Sequence, residues 1–270
     1  MRGGMAYPGV LAVAVVSLGV LLAGCASTAD TGQAASASAS ASASTSQRAD
    51  LRLQLASAYY GQAQYGVALA EAEQAVQLLP GNAQALGMRA LVLAALHQAD
   101  AAEKDFLYAM RLAPHNPELS NNYGQFLCQT GRAAQSLAYF DAALRDVAYG
   151  TPELALHNAA TCSLRINDYR RAADYWRKAE RIAPAAAMTY VGLVRVYYQQ
   201  QDYRQAAHYL ERLGKVATME SQTADVLWLG IKVQHKLGDA GAEAGLAAHL
   251  RHHHSGSPEY AAYQNGAFDE

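Results

Sequence analysis

The residues of this 270-residue chain that could do covalent or metal chemistry are its three cysteines and nine histidines. The run His252-His253-His254 offers adjacent imidazoles that could bind a metal ion, but no carboxylate or cysteine adjoins it. We interpret the run as a solvated helix end, because the other histidines are scattered and show no spacing to a nucleophile or a carboxylate pair. The sequence therefore predicts no catalytic residue, no metal site, no cofactor and no enzymatic activity.

Cys25 follows an uncharged apolar run, Gly9 to Ala23, that begins soon after Arg2. The run is too short to span a bilayer as a permanent helix, and it is typical of the apolar core of a signal peptide. Two small residues precede the cysteine and fit the cleft of a signal peptidase. Residues 1–24 are therefore predicted to be a signal peptide, and Cys25 would open the mature chain.

The segment Leu22-Ala23-Gly24-Cys25 resembles the lipobox of bacterial lipoproteins. That resemblance implies that the Cys25 thiol receives a diacylglyceryl group, that the chain is cut before it, and that the new amino terminus is acylated, for example by palmitate. Ala26 and Ser27, rather than Asp, follow the cysteine. In such lipoproteins this implies the outer membrane, with the protein facing the periplasm. The alternative is an ordinary secretory signal in which Cys25 is incidental.

The rest of the chain carries neither a second apolar stretch of spanning length nor a basic block. Without Arg2, 20 basic residues face 23 acidic ones, so binding to nucleic acid has no electrostatic support. The lipid is thus the predicted membrane anchor. Residues 25–48 consist almost wholly of Ala, Ser, Thr, Gly and Gln and are predicted to be a flexible tether, with a fraying alanine-rich helix as the alternative.

Small residues recur with a period that reveals the organisation of the remaining chain. They lie 34 residues apart at Ala68, Ala102 and Ser136, with a step of 36 to Ala172 and of 34 to Ala206. Other series of Ala and Pro place the same two-residue insertion between Val147 and Pro152. A period of 34 residues is that of the tetratricopeptide repeat (TPR), a helix–turn–helix unit. No segment alternates with period two, so the sequence predicts an all-α, right-handed superhelix.

We divide this array into about six units and a C-terminal tail. The predicted units are 49–82, 83–116, 117–150, 153–186, 187–220 and about 224–251, and the tail is 252–270. Small residues occupy positions 8 and 20 of the units, where two helices would cross, and larger apolar residues occupy position 24 in most units. Arg89 falls at position 7, which is usually apolar, and indicates an adapted second unit.

The first helices of stacked units line a groove, and we predict that a protein partner binds there. The predicted contact residues are Leu53, Ser57, Tyr60, Met88 and Leu91 toward the N-terminal end, and Asn121, Asn122, Gln125 and Asn158 near the centre. Amide side chains both donate and accept hydrogen bonds, which suits a peptide backbone, while the apolar residues suit buried side chains. For Asn122 and Asn158, a half-buried structural role is the open alternative.

Cys128 and Cys162 are the cysteines that remain after lipidation of Cys25. An even pair in an oxidising compartment indicates one disulfide rather than a metal or redox site. The two residues occupy positions 12 and 10 of the first helices of units three and four. Because those helices would pack side by side, a disulfide between them is predicted.

One further segment carries a more specific likeness: Asn121-Asn122-Tyr123-Gly124-Gln125-Phe126-Leu127-Cys128. Together with the lipobox, the tether, the array and the ending Ser257-Pro258-Glu259-Tyr260, it resembles the type IV pilus biogenesis lipoprotein family, the PilF/PilW-type pilotins. The resemblance implies an outer-membrane lipoprotein that binds the pilus secretin and promotes its localisation and multimerisation, and hence twitching motility. Adaptors of outer-membrane β-barrel assembly or of cell-wall synthase activation are alternatives, and a periplasmic enzyme is the alternative of a different class.

Overall fold

The computed structural model describes residues 31–268, with side-chain surroundings from residue 44 onward. Of the described residues, those up to Ser44 belong to one compact unit and those from Thr45 onward to a second. The predicted signal peptide 1–24, the predicted lipidation site Cys25 and residues 25–30 of the tether lie outside the described residues. The last two residues of the tail do so as well. All side-chain contacts described below belong to the second unit.

Helices account for the regular structure of the described chain, and no strand occurs in it. The first helices of the successive repeats are α1 (Thr31–Gly61), α3 (Ala83–Ala95), α5 (Pro117–Gln129), α7 (Pro152–Arg165), α9 (Ala187–Gln199) and α11 (Ala224–Leu237). The second helices are α2 (Tyr65–Leu78), α4 (Ala99–Leu112), α6 (Ala133–Ala143), α8 (Tyr169–Ile182), α10 (Tyr203–Val216) and α12 (Ala240–His254). A 3₁₀ turn at Met219–Ser221 follows α10, and α13 (Pro258–Gln264) follows α12. The architecture confirms the predicted all-α TPR array.

None of the helices in the described range combines the length and the apolar character needed to cross a membrane. The longest, α1, includes the alanine-serine stretch that we expected to be a flexible tether over 25–48. The structure differs there, because residues from Thr31 to Arg48 are helical. Alanine has the highest intrinsic helix propensity, so a stretch with alanine at every second position can continue a helix that folds after it.

Small residues allow the two helices of each unit to approach closely. Those of the 34-residue series are fully buried: Ala68, Ala102, Ser136, Ala172 and Ala206. At Gly124 in α5, an added Cβ would lie only 2.8 Å from the ring of Phe140 in α6. Close approach between successive units needs a small residue as well: at Gly192 in α9, an added Cβ would lie 2.2 Å from the ring of Trp176 in α8 of the preceding unit. The spacing of small residues therefore reflects a steric requirement of the packed helices.

The turn between the two helices of each repeat passes through the left-handed region of backbone conformation. Glycine supplies that conformation at Gly131 and Gly238, with φ of 86° and 74°. Non-glycine residues adopt it at the equivalent turns: Ala63, His97, Asn167 and Gln201. Because a side chain in this region contacts its own backbone closely, these four turns carry local strain that the packed helices maintain.

The connection between α6 and α7 is longer than its counterparts. It occupies residues 144–151, whereas residues 113–116 suffice between α4 and α5. The extra residues lie where the interrupted period placed a two-residue insertion. Tyr149 anchors the connection, since its side chain is buried against Ala143 and Ala155.

Arg89 shows how the second repeat is adapted. Its guanidinium group forms two hydrogen bonds, of 2.6 and 2.8 Å, to the carboxylate of Asp105 in α4. In the third repeat the equivalent residues are Tyr123 and Tyr139, whose rings meet edge to face at 4.8 Å. The second repeat therefore replaces an aromatic contact between its helices with an ion pair.

The C-terminal region differs from the predicted tail at 252–270. Helix α12 extends through His254, so the histidine run forms its last turn, and the His254 imidazole hydrogen-bonds to the Gln222 carbonyl at 2.9 Å. Helix α13 then folds back, and Tyr263 and Phe268 pack against Trp228 of α11. The segment covers apolar side chains that a terminal repeat would otherwise expose, as capping segments of repeat proteins do.

Candidate functional site

The predicted binding residues lie on four first helices. Leu53, Ser57 and Tyr60 belong to α1, Met88 and Leu91 to α3, Asn121, Asn122 and Gln125 to α5, and Asn158 to α7. Six of these nine residues line two adjoining cavities between α1, α3 and α5: Ser57, Tyr60, Met88, Leu91, Asn122 and Gln125. The remaining three, Leu53, Asn121 and Asn158, line neither cavity.

The first cavity, which we call the tyrosine cavity, has a volume of about 370 Å³. Tyr60 and Tyr65 form one wall, with ring centroids 5.5 Å apart. The rest of the lining comprises Leu91, Ala94, Ala95 and His97 from α3 and its following turn, and Asn122, Gln125, Phe126 and Gln129 from α5. No Asp, Glu, Lys or Arg of the described chain lines it. The cavity therefore suits an uncharged apolar or aromatic group.

Burial and the nearby Tyr65 raise the pKa of Tyr60 above its ordinary value. The Tyr60 hydroxyl therefore stays protonated at neutral pH and can donate a hydrogen bond. Amide groups at the opposite wall, on Asn122 and Gln125, both donate and accept. Aromatic walls of this kind also occur in grooves that bind peptide segments.

The second cavity, which we call the methionine cavity, has a volume of about 230 Å³. Ser57, Gln84, Gly87, Met88, Leu91, Asn116, Glu118, Leu119 and Asn122 line it. Leu91 and Asn122 border both cavities, so the two lie side by side, and together we call them the binding depression. An extended chain could place two of its side chains in them, one in each cavity.

Asn121 and Asn158 have a structural role. Only 5% of Asn121 is exposed, and its side-chain oxygen accepts a hydrogen bond of 3.0 Å from the Asn158 amide. Asn121 in turn donates to the Asn122 side-chain oxygen at 3.2 Å. This amide ladder joins α5 to α7, and it orients the Asn122 side chain at the border of the two cavities. Leu53 is half-buried in α1.

Sequence reasoning missed Tyr65 and Phe126 as lining residues. Tyr65 begins α2, so a rule that considers only first helices does not select it. Phe126 is largely buried, with its ring 5.5 Å from that of Phe106. Gln129 also lines the tyrosine cavity, from the turn end of α5.

Next to the cavities, Cys128 of α5 and Cys162 of α7 form a disulfide. The sulfur atoms are 2.05 Å apart and the Cα atoms 5.8 Å apart. The Arg165 guanidinium group also bridges the two helices, because it donates to the Cys128 carbonyl at 3.1 Å. Farther along the array, His157 hydrogen-bonds to Thr189 at 2.8 Å, and Arg195 pairs with Asp225 at 2.9 Å.

Several titratable groups with shifted pKa values take part in contacts between helices. The Glu103 carboxylate binds Arg132 and accepts from the Tyr123 hydroxyl, which lowers the pKa of Glu103. Burial and the hydrogen bond to Glu103 raise the pKa of Tyr123 strongly. Burial lowers the pKa of His157. Across residues 31–268, no group of three His, Cys, Asp or Glu side chains is arranged to hold a metal ion.

Comparison with known proteins shows which of them the chain and its fold resemble. The crystal structure of PilW, described as a widely conserved type IV pilus biogenesis factor, matches with a TM-score of 0.73 and 31% identity, over 80% of this chain and 98% of its own. No protein-family model matches the chain.

PilF of Pseudomonas aeruginosa strain PAO1, a type IV pilus assembly protein, is 24% identical over 258 residues, which cover 94% of this chain and 98% of PilF. The solved structure of Pseudomonas aeruginosa PilF matches with a TM-score of 0.72 and 22% identity, over 83% of this chain and 99% of its own. These solved structures share the TPR fold described here.

Proposed function

This chain belongs to the PilF/PilW-type family of TPR proteins of type IV pilus biogenesis, and from that premise we propose that it is an outer-membrane lipoprotein that binds the pilus secretin. Binding would promote the localisation and multimerisation of the secretin in the outer membrane. The same lipid anchor would hold the array at the periplasmic surface. The TPR fold itself supports a role in protein–protein interaction.

The observation that carries the proposal is the depression formed by the adjoining tyrosine and methionine cavities. Its apolar walls offer burial to side chains of a partner, and its amides offer hydrogen bonds to a backbone. Such buried apolar and aromatic contacts usually dominate the binding energy of an interface. We therefore assign the secretin contact to α1, α3 and α5, with Leu91 at its centre.

Lipidation at Cys25 would make a modest affinity sufficient. Two or more acyl chains anchor a protein durably, whereas one chain binds a membrane reversibly. A protein confined to the membrane surface meets a partner there at high effective concentration. The lipobox in the sequence and the family membership together support this part of the proposal.

Charge introduced into the depression tests the binding site. Leu91→Glu would place a carboxylate at the border of both cavities and should weaken secretin binding at least about tenfold. Gln129→Glu places a charge at the exposed rim of the tyrosine cavity and should weaken binding without affecting the core. Met188→Glu is the matched control, because Met188 is 67% exposed on the first helix α9, away from the cavities.

The readouts are the affinity for purified secretin subunits, the amount of detergent-resistant secretin multimer in the outer membrane, and twitching motility, with folding checked by circular dichroism. If both cavity variants retain the activity of the Met188→Glu control, the depression is not the site. If secretin multimers persist after deletion of the whole gene, the proposed function itself fails.

Membrane attachment is tested separately with Cys25→Ser. This variant should lose metabolic labelling by palmitate and should leave the outer-membrane fraction. Purified Cys25→Ser protein should still bind secretin subunits in solution, because the binding depression lies in the array. Unchanged partitioning into the outer membrane would contradict the lipoprotein assignment.

A further inference from the structure

A second surface of the array has a different chemistry from the binding depression. A cleft of about 620 Å³ lies between the end of α6, the start of α7 and the end of α8. Its lining consists of Asp141, Leu144, Arg145, Pro152, Leu156, Lys178, Arg181 and Ile182. We call it the basic cleft. It adjoins the long connection at 144–151, where α6 ends at Ala143 and leaves Leu144 and Arg145 in a turn.

The cations of the basic cleft differ from the seven arginines of the described chain that form salt bridges. Salt bridges in the described chain engage Arg52, Arg89, Arg132, Arg171, Arg177, Arg195 and Arg212. Arg145 and Arg181 form no salt bridge to any described residue, and Lys178 contacts the face of the Tyr175 ring. The one carboxylate in the cleft, on Asp141, already accepts a hydrogen bond of 2.7 Å from the Tyr175 hydroxyl.

The walls between these cations are apolar. Leu144 and Leu156 form part of the lining, and Ile182 is 51% exposed at its edge. An exposed aliphatic side chain beside unpaired cations offers both burial and charge to a ligand. Basic residues at the end of a helix also complement its dipole, but that role leaves their charged groups free for a ligand.

We propose that the basic cleft docks an acidic segment of a partner protein that carries an aliphatic or aromatic side chain. The carboxylates would pair with Arg145, Lys178 and Arg181, and the apolar side chain would contact Leu144 and Ile182 above the buried Leu156. Charge complementarity selects an acidic ligand. The concave shape selects a peptide segment, because the flat surface of a bilayer does not enter a cleft.

Equivalent positions of the neighbouring repeats extend this cationic surface. Arg145 and Arg181 occupy position 29 of units three and four, and position 29 carries Arg111 in unit two and Lys215 in unit five. Stacking of repeats places equivalent positions along one edge of an array. Arg111 and Lys215 therefore share the edge and the charge of the cleft residues but do not line the cleft, which makes them a matched control.

The experiment uses full-length Cys25→Ser protein and a fluorescein-labelled synthetic peptide rich in Asp and Glu with one central Phe. Fluorescence anisotropy should show saturable binding that weakens as the salt concentration rises. The double variant Arg145→Glu/Arg181→Glu should weaken binding roughly tenfold or more, since two ion pairs are replaced by repulsions. Arg111→Glu/Lys215→Glu should retain most of the affinity despite the same change in net charge.

Two further arms keep the proposal falsifiable. Replacement of the central Phe of the probe by Ser should weaken binding to the unaltered cleft, and Arg145→Gln/Arg181→Gln should weaken binding without introducing new repulsion. Equal losses in the cleft and control variants would overturn the proposal in favour of diffuse attraction. Absence of peptide binding, or binding only to vesicles of phosphatidylcholine and phosphatidylglycerol, would overturn it as well. Secretin binding should be unchanged in the cleft variants, so failure here is distinct from failure of the proposed function.

Discussion

Two stretches of the surface built by the first helices differ in how their side chains are engaged. Between α5, α7, α9 and α11, neighbouring helices are joined by the Cys128–Cys162 disulfide, the amide ladder, the His157–Thr189 hydrogen bond and the Arg195–Asp225 ion pair. We call this the laced face. Between α1, α3 and α5 lie the tyrosine and methionine cavities, which we call the open face. Within the described residues, no side-chain hydrogen bond joins α3 to α5.

The difference gives the laced face a structural role and leaves the open face for binding a partner. A polar group that is already paired offers little to a ligand, because the ligand must break one hydrogen bond to gain another. The open face leaves the Gln125 amide, the amino group of Asn122 and aromatic surface available, although the Asn122 oxygen accepts from Asn121. The laced face, which begins at the same helix α5, holds that helix in place and so lowers the ordering cost of binding.

The largest expected effect on stability comes from removing the disulfide of the laced face. Cys128→Ala with Cys162→Ala should lower the free energy of unfolding by about 2–4 kcal/mol, because the bridge closes a loop across a sequence separation of 34 residues. Urea denaturation measures this loss. The affinity of the open face for the secretin should change far less.

The disulfide can be checked independently by thiol titration of Cys25→Ser protein that has been denatured without reductant. Titration should detect no free thiol. Two reactive thiols, or equal stability with and without both cysteines, would contradict the assigned role of the disulfide.

A smaller effect is expected beneath the open face, at the Arg89–Asp105 ion pair. Arg89→Met should cost about 2–3 kcal/mol, since it leaves the largely buried Asp105 carboxylate without its cation. Arg89→Met combined with Asp105→Leu should recover most of that loss, because an apolar contact then replaces the pair. Thermal unfolding of both single variants and the double variant gives the coupling energy. Purely additive losses would show that the two residues do not support each other.

Substitutions at the left-handed turns, which act only on the local backbone, should change stability by the same amount next to the open face and next to the laced face. Ala63→Gly in the first repeat and Gln201→Gly in the fifth remove a side chain at φ of 57° and 60°. Each should stabilise the array by about 0.5–1 kcal/mol, the relief of left-handed strain less the added entropy of glycine in the unfolded chain. Gly131→Ala should instead destabilise the array, because a φ of 86° is strained for alanine. No neighbouring atom lies within 4 Å of the added Cβ, so the backbone alone sets this cost. Gains confined to one face would show that regional packing, rather than the turn, sets the cost.

The smallest effect is a pH dependence at one link of the laced face. Burial lowers the pKa of His157, so the folded protein favours the neutral imidazole that bonds to Thr189. The contribution of His157 to stability is therefore complete above about pH 6.5, the ordinary histidine value, and is lost as the pH falls through the lowered pKa. His157→Gln should flatten the stability profile below that pH, whereas His115→Gln, at an exposed connection, should leave it unchanged. Identical profiles for both variants would refute this contribution.

Sequence periodicity predicted the fold well because a TPR is specified by local rules. The buried residues at positions 20 and 24 followed from spacing alone, since each helix pair must satisfy the same close approach. Six of the nine proposed binding residues meet at one depression for the same reason: first-helix positions share a face in every unit. Tyr65 was not predicted as a lining residue, because it reaches that depression from the start of a second helix. The helical stretch before Arg48 was expected to be a tether, because a composition without an apolar face does not distinguish a lone helix from a coil.

The sequence by itself determined the period, the helix pairs, the small residues at their crossings, and the phase that puts Cys128 and Cys162 on neighbouring first helices. Tertiary structure alone decided which amides are engaged, so that Asn121 and Asn158 form a ladder while Asn122 and Gln125 border a cavity. It also decided that the basic cleft forms beside the long connection at 144–151, with cations that form no salt bridge. The packing of Phe268 against Trp228 was likewise decided there. The reason is one of range. A repeat rule acts between residues of one unit and its neighbour, whereas cavities, ladders and caps depend on distances between side chains from several helices, which exist only once the array has stacked.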